Sequence, residues 1–404
     1  MNYTAAFDVG MGKSYMVLYD EQACILQKWI SHSKESFMQL KRLFDVHFYN
    51  EFDSLDIVFE ATGVYSKPLE RFFLTEGYRY SKLNPLEASF QAKTLRRNKN
   101  DKADAHSLAK SYMVNKTNFY KSSDKRYDEL KQLSRYYSEI DEELSIVRGR
   151  LHSCIQATFP ELEQLFTTKS HLFLNIVQIY PHPQLTLKDS KTIIKNKIIK
   201  HTQKNISSSR AQNKAKLLIE AAQNSYPAVD ELHPVILQVQ HYACRYQELM
   251  PQKDEITDLM YTLTKGLPEY AILLSFPGIG VNSAVRIVAE LGDIRRFDNS
   301  KQINAFVGID VRRYQSGKFQ MRDKINKRGN KKLRKILYLV ILNMIRNKST
   351  EKNHIKEYYY KLKADPMNKC HKVAVIAAIN KLLRTIFYLV KQDVLYDYEK
   401  AITH

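Results

Sequence analysis

Three short apolar runs, residues 3–8, 14–19 and 24–29, follow one another at the start of the chain with only a few residues between them. Connections this short allow turns and no crossovers, so the runs read as an antiparallel meander, with Gly10 and Gly12 marking the first turn. Residues 35–48 then carry a helical pattern, 55–60 a β-branched strand, 66–75 a helix, 78–83 a strand and 85–95 a helix, and a last helix starts near Asn100. Three antiparallel strands followed by alternating helices and strands is the order of a ribonuclease-H-like α/β fold. We assign it to residues 1–115.

The rest of the chain reads as all-α. Leu130, Leu133, Tyr137, Ile140, Leu144, Val147, Leu151 and Cys154 step by three and four, and so do Val229, Leu232, Ile236, Val239, Ala243, Tyr246 and Met250. These are heptad seams, expected to pack on each other within one chain or to pair between chains as coiled coils. Pro251 is expected to end or kink the second arm. Between the arms, residues 186–216 hold nine Lys and Arg against one acid, Asp189, which suggests an exposed basic linker or a nucleic-acid contact. The helical middle is assigned to 116–264. A C-terminal domain, 265–404, opens on Pro277-Gly278-Ile279-Gly280 and continues into helices over 281–291, 331–347 and 371–392.

Net charge narrows the function. The 404 residues sum to +20, yet residues 1–110 hold 15 basic and 14 acidic side chains, so nearly all the excess lies downstream. Residues 295–335 alone hold 14 Lys and Arg against 3 acids. Clustering of this kind favours a polyanionic partner, because phosphates are neutralised without any reading of bases. The four cysteines, Cys24, Cys154, Cys244 and Cys370, form no CxxC pair and imply neither a zinc site nor a disulfide framework. The first residues lack the pattern of a signal peptide, no apolar run is read as a membrane span, and a cytoplasmic protein is expected.

The candidate chemistry begins with Asp8 and Glu60, each closing a strand, and with Asp101 and Asp104, three apart on one helix. Phosphoryl transfer needs charge neutralised at a phosphate and an oxygen nucleophile activated, which two divalent ions about 4 Å apart accomplish between carboxylates. Mg²⁺ (or Mn²⁺) keeps waters and asks for few protein ligands. Arg96, Arg97 and Lys99 precede the helical pair and are placed to grip flanking phosphates. The PGIG turn between helices resembles a helix-hairpin-helix, in which Gly278 and Gly280 let backbone amides approach a phosphate. Further on, Arg312-Arg313-Tyr314-Gln315-Ser316-Gly317 puts a serine in a basic loop. Its hydroxyl is a poor nucleophile without a base or metal, and no His lies nearby in sequence. Arg312 and Arg313, with Lys331, Lys332 and Arg334, complete the expected nucleic-acid contacts.

Together these segments resemble the DEDD-type insertion-sequence transposases and the related Piv-type DNA invertases. At the front the likeness lies in FDVGMGKSYMVLYD, VFEATGVYSKPLERF and NKNDKADAHSLAK. At the back it lies in LLSFPGIGVNSAVRIVAELGDIRRFDNSKQINAFVGID, YQSGKF and KRGNKKLRKILY. The resemblance implies a RuvC-like N-terminal domain in which Asp8, Glu60, Asp101 and Asp104 hold Mg²⁺. It also implies a C-terminal transposase domain whose Ser316 forms a phosphoserine link to DNA. It further implies a coiled-coil homo-oligomer, dimer or tetramer, pairing the metal site of one protomer with the serine domain of another. A non-coding guide RNA would bridge donor and target double-stranded DNA. Two other readings stay open: a metal-dependent, structure-specific nuclease in which water attacks and Ser316 is incidental, and a non-enzymatic nucleic-acid scaffold. A kinase-like nucleotide fold is set aside, because DVGMGK lacks the GxxxxGK[ST] spacing.

Overall fold

The computed structural model describes residues 2–47, 54–60, 63–83, 100–114, 124–202, 205–312, 315–316, 319–320, 324–347 and 352–403. The helix expected over 85–95 and the residues Arg96, Arg97, Lys99 and Arg313 lie outside them. The chain divides into two compact units, Met1–Ser122 and Ser123–His404.

The first unit is built on strands β1 (Asn2–Val9), β2 (Lys13–Tyr19), β3 (Cys24–Ser31), β4 (Ser54–Glu60) and β5 (Tyr80–Leu83), with helices α1 (Lys34–His47), α2 (Lys67–Thr75) and α3 (Asp101–Val114). The sheet order is β3-β2-β1-β4-β5. β1 to β3 are antiparallel, and β1, β4 and β5 run parallel. The first turn closes where the Gly10 N–H donates to the Lys13 carbonyl at 3.0 Å and Gly12 takes φ +73°. Alternation then sorts the strands into two faces. Ala5, Phe7, Val9, Ile57 and Phe59 pack with Phe37 and Phe44 of α1 and Phe72 and Phe73 of α2. Ala6, Tyr15, Val17 and Val58 face the other way, against Ala105, Leu108, Ala109 and Tyr112 of α3. This mixed five-stranded sheet is consistent with a RuvC-like domain.

The second unit is helical. Its elements are α4 (Lys125–Thr158), α5 (Leu162–Leu165), α6 (His171–Ile179), α7 (Pro183–Leu187), α8 (Lys191–Lys200), α9 (Ser208–Asn224), α10 (Val235–Thr264), α11 (Pro268–Leu274), α12 (Val281–Leu291), a 3-10 turn (Ile294–Arg296) and α13 (Ser300–Val307). Four two-residue strands follow, β6 (Val311–Arg312), β7 (Gln315–Ser316), β8 (Phe319–Gln320) and β9 (Lys324–Ile325). Helices α14 (Lys331–Arg346), α15 (His354–Lys363), α16 (His371–Gln392) and α17 (Tyr398–Thr403) close the chain.

The two arms pack on each other within the chain. Leu130, Tyr137, Ile140, Leu144, Val147 and Leu151 of α4, with Val239, Ala243, Tyr246 and Leu249 of α10, belong to one core that continues to Val390. Three expectations change. Val229 and Leu232 precede α10, and Leu232 is 91% exposed, because the helix starts only after Pro234. Pro251 does not end the arm. It removes one backbone donor, but Tyr246 and Leu249 before it and Ile256 and Met260 after it are all buried, and that packing carries the helix through. The basic insert is not a linker: α7, α8 and α9 fold there, burying Ile194, Ile198, Ala211 and Ala215. α16 is long and apolar enough to cross a membrane by length and composition, which the sequence reading did not expect. Its apolarity has a packing cause, since Ala374, Val375, Ala378, Ile379, Leu382, Leu383 and Ile386 lie in the core.

Candidate functional site

Parallel register sets Asp8 beside Glu60. Phe7 pairs with Phe59, so the next residue on each strand is an acid, at the C-terminal ends of β1 and β4. Both alternate with core residues and share the face of Ala6 and Val58, the face α3 covers. Both side chains are half-buried. The direction of α3 follows from its contacts. The Lys102 ammonium lies 5.6 Å from the ring centroid of Tyr15, the partner of Asp8, while His106 Nδ1 is 2.7 Å from the hydroxyl of Tyr19, the partner of Thr4. The helix therefore runs antiparallel to β1 and starts at the strand ends that carry the acids. Asp101 and Asp104 stand one turn before Ala105 and Leu108 and extend the same sheet-facing stripe.

The topology thus brings two acids side by side and a second pair to the same end of the sheet. Among the described residues, no group of three or more His, Cys, Asp or Glu side chains is placed to hold one ion. The donor set nevertheless suits a hard cation. It is all carboxylate oxygen, and Mg²⁺ takes one or two carboxylates and keeps water for its other positions.

Ser316 belongs to a short antiparallel ladder, in which Gln315 pairs with Gln320 and Ser316 with Phe319. The base of the segment is clamped by backbone. Val311–Arg312 pairs with Lys324–Ile325, the Lys327 N–H donates to the Gly308 carbonyl at 3.0 Å, and the Asn330 N–H to the Phe306 carbonyl at 2.7 Å. A Cβ on Gly329 would stand 2.3 Å from the Phe306 carbonyl oxygen and 2.4 Å from the Gly308 nitrogen, so the two segments touch without side chains between them.

The basic residues divide. Arg312 is exposed. Lys331 and Lys332 sit in the first turn of α14, behind the N-cap Asn330, where positive charge opposes the helix dipole. With Lys131 and Arg135 of α4 they line a cleft of about 430 Å³. Burial lowers the Lys131 pKa, with Arg135 adding to the fall. Arg334 is engaged internally, donating to the Val307 carbonyl at 2.6 Å and the Lys327 carbonyl at 3.4 Å. Gly278, at φ +95°, faces Met344, whose Cγ would lie 2.8 Å from an added Cβ, so its close approach is to α14. Gly280 is the N-cap of α12, and a Cβ there would meet open space.

Comparison with known proteins matches these two regions separately. A DEDD transposase profile of the IS110 type covers residues 5–160, and the profile described as transposase IS116/IS110/IS902 family covers 270–360. This chain belongs to the IS110-type DEDD transposases. The family is one of DNA-recombining enzymes. A transposase for insertion sequence element IS1111A of Coxiella burnetii is 32% identical over 116 residues, which span 27% of this chain and 32% of that protein. The pilin gene-inverting protein of Moraxella bovis is 21% identical over 371 residues, 91% of this chain and 89% of its own length, and that of Moraxella lacunata matches to the same extent.

Some features of this region are not visible in the sequence alone. Lys131 and Arg135 lie off the apolar seam of the heptad arm, and only the packing of α4 near the start of α14 groups them with Lys331 and Lys332. Gly308 and Gly329 stood inside quoted segments, but nothing local says that two glycines 21 positions apart must touch.

Proposed function

We propose that this transposase is the recombinase of an insertion sequence, cutting and rejoining double-stranded DNA with Ser316 as nucleophile. Asp8, Glu60, Asp101 and Asp104 would hold Mg²⁺ or Mn²⁺. The observation that carries the reading is the adjacent pair Asp8 and Glu60 at the strand ends, with the acidic turn of α3 at the same end. A bound divalent cation supplies neutralising charge at a phosphate and lowers the pKa of a hydroxyl. The protein's own groups do the rest. Lys131, Arg135, Lys331 and Lys332 bind backbone phosphates, and Gly280 offers a helix N-terminus to another. The hydroxyl of Ser316 attacks phosphorus and gives up its proton, the bond to the departing strand's oxygen breaks, and that oxygen is protonated. The phosphoserine ester keeps the bond energy, so a free strand end rejoins by the reverse step without ATP.

A guide RNA, a coiled-coil dimer or tetramer and a cytoplasmic setting complete the proposal. They are supported by the family likeness, and the nucleic-acid partners also by the positive charge; the apolar seams of the two arms are already paired within the chain. The names of the Moraxella relatives add inversion as a possible outcome beside excision and insertion.

The test is to trap DNA on the protein in denaturing gels and map the adduct. The expected result is a Ser316 adduct that is absent in Ser316→Ala. Asp8→Asn and Glu60→Gln should each lower cutting at least about a hundredfold, more than the loss typical of a group that only supports a ligand. Cutting at the wild-type rate by Ser316→Ala would instead select the nuclease in which water attacks.

A further inference from the structure

One row of side chains crosses the sheet from the acids to its edge. Glu60 of β4 lies beside Asp8 of β1, Asp8 pairs with Tyr15 of β2, and Tyr15 pairs with Trp29 of β3. All four share the face on which α3 packs. Tyr15 is buried, but Trp29, on the edge strand, is 43% exposed. The indole is held in place. Tyr15 meets it edge-on at 5.1 Å between centroids, and the Tyr15 hydroxyl donates to Gln27 Oε1 at 2.9 Å, an oxygen that also lies 3.2 Å from His106 Nε2. Two cations lie over the rings: Lys13 Nζ over Trp29, 4.4 Å from its centroid, and Lys102 Nζ over Tyr15, 5.6 Å from its centroid.

We propose that Trp29 is a stacking platform for an unpaired base of the DNA strand being processed, with Lys13 and Lys102 binding the phosphates beside it. The inference rests on the reading of Asp8 and Glu60 as the strand-transfer site. Trp29 is two strand spacings from Asp8, about 10 Å. That distance lies within the reach of a few nucleotides of one strand, so a base stacked there positions a phosphate near the acids. A rigid aromatic face accepts any base, which suits a positioning role without sequence choice. The lysines have an electrostatic task of their own, since a row with two carboxylates would otherwise repel the strand it must hold.

Trp29 is the sole tryptophan of the chain, so the full-length protein reports on it directly. A DNA duplex with a central unpaired stretch is titrated in chelator while tryptophan emission and the anisotropy of labelled DNA are followed together. Saturable quenching is expected. Trp29→Leu should weaken binding roughly five- to a hundredfold, the range that loss of one stacked base gives, and Trp29→Phe should recover most of it. Emission that stays constant while anisotropy shows saturation would overturn the proposal. So would wild-type affinity in Trp29→Leu, or quenching by RNA of the same sequence and not by DNA. The same titration with Asp8→Asn separates the two readings. Quenching retained with cutting lost supports both. Quenching retained with cutting intact removes the strand-transfer assignment and leaves the platform standing.

Discussion

At the residue scale, two glycines and a histidine are required by what surrounds them. Gly308 takes φ +76°, and Gly329 lies against its backbone. Gly329→Ala must push apart two chain segments joined by short hydrogen bonds, and we expect a loss of at least about 2 kcal/mol in urea unfolding. Gly280→Ala, whose methyl would enter open space, should cost under about 1 kcal/mol. His354 is 3% exposed, with Nδ1 2.8 Å from the Tyr396 hydroxyl and Nε2 3.3 Å from Thr385 Oγ1. Burial, with Lys381 adding to it, pushes its pKa down to about 4. The ring is therefore neutral in the folded chain and takes a proton near pH 6.5 when unfolded. Its contribution is fully present above about pH 6.5 and is lost as pH falls towards 4, because the unfolded chain then binds the extra proton. The loss amounts to up to about 3 kcal/mol. Urea midpoints at pH 7 and pH 4.5 should differ less in His354→Gln than in the wild type. The demands on Gly308, Gly329 and His354 were not legible in the sequence. Asp8 and Glu60 were, because each closes a strand pattern, and strand ends place acids at an open edge.

At the scale of elements, the long arms are held by their apolar seams more than by helix propensity. Gly149 sits on the solvent side of α4 with nothing near the position of a Cβ. Gly149→Ala should stabilise the chain by about 0.5–1 kcal/mol, seen as a raised urea midpoint, since alanine lowers the entropy cost of the helix without meeting a neighbour. Helices 281–291 and 371–392 were readable to their ends, because the apolar period stops there, at Gly280 and Gly292 for the first and at Cys370 and Asp393 for the second. The second arm was not. The heptad spacing ran back through Leu232, but Pro234 starts the helix, and Pro251 is carried inside it by buried neighbours on both sides. Periodicity reports which residues would share a face if the chain were helical. It does not report where helix begins.

At the scale of the molecule, charge and core are distributed differently. The +20 excess lies almost wholly beyond residue 110. If binding engages six or more phosphates, raising salt from 50 to 200 mM should weaken DNA affinity about 10³-fold or more. A plot of log affinity against log salt with a slope shallower than about −3 would show that few phosphates are held. The basic residues that line the cleft come from α4 and α14, nearly 200 positions apart in the chain, yet within one core that runs from Tyr127 to Val390. The amino-acid order by itself determined the strand sequence of the first unit, the helical character of the second, the charge asymmetry and the acids at strand ends. All of these follow from local periodicity and composition. Only the tertiary structure decided that Glu60, Asp8, Tyr15 and Trp29 form one row, that Gly308 meets Gly329, and that the arms pair within the chain. Those facts depend on register and on burial between distant segments, and nothing in a segment's own sequence sets the partner against which it will pack.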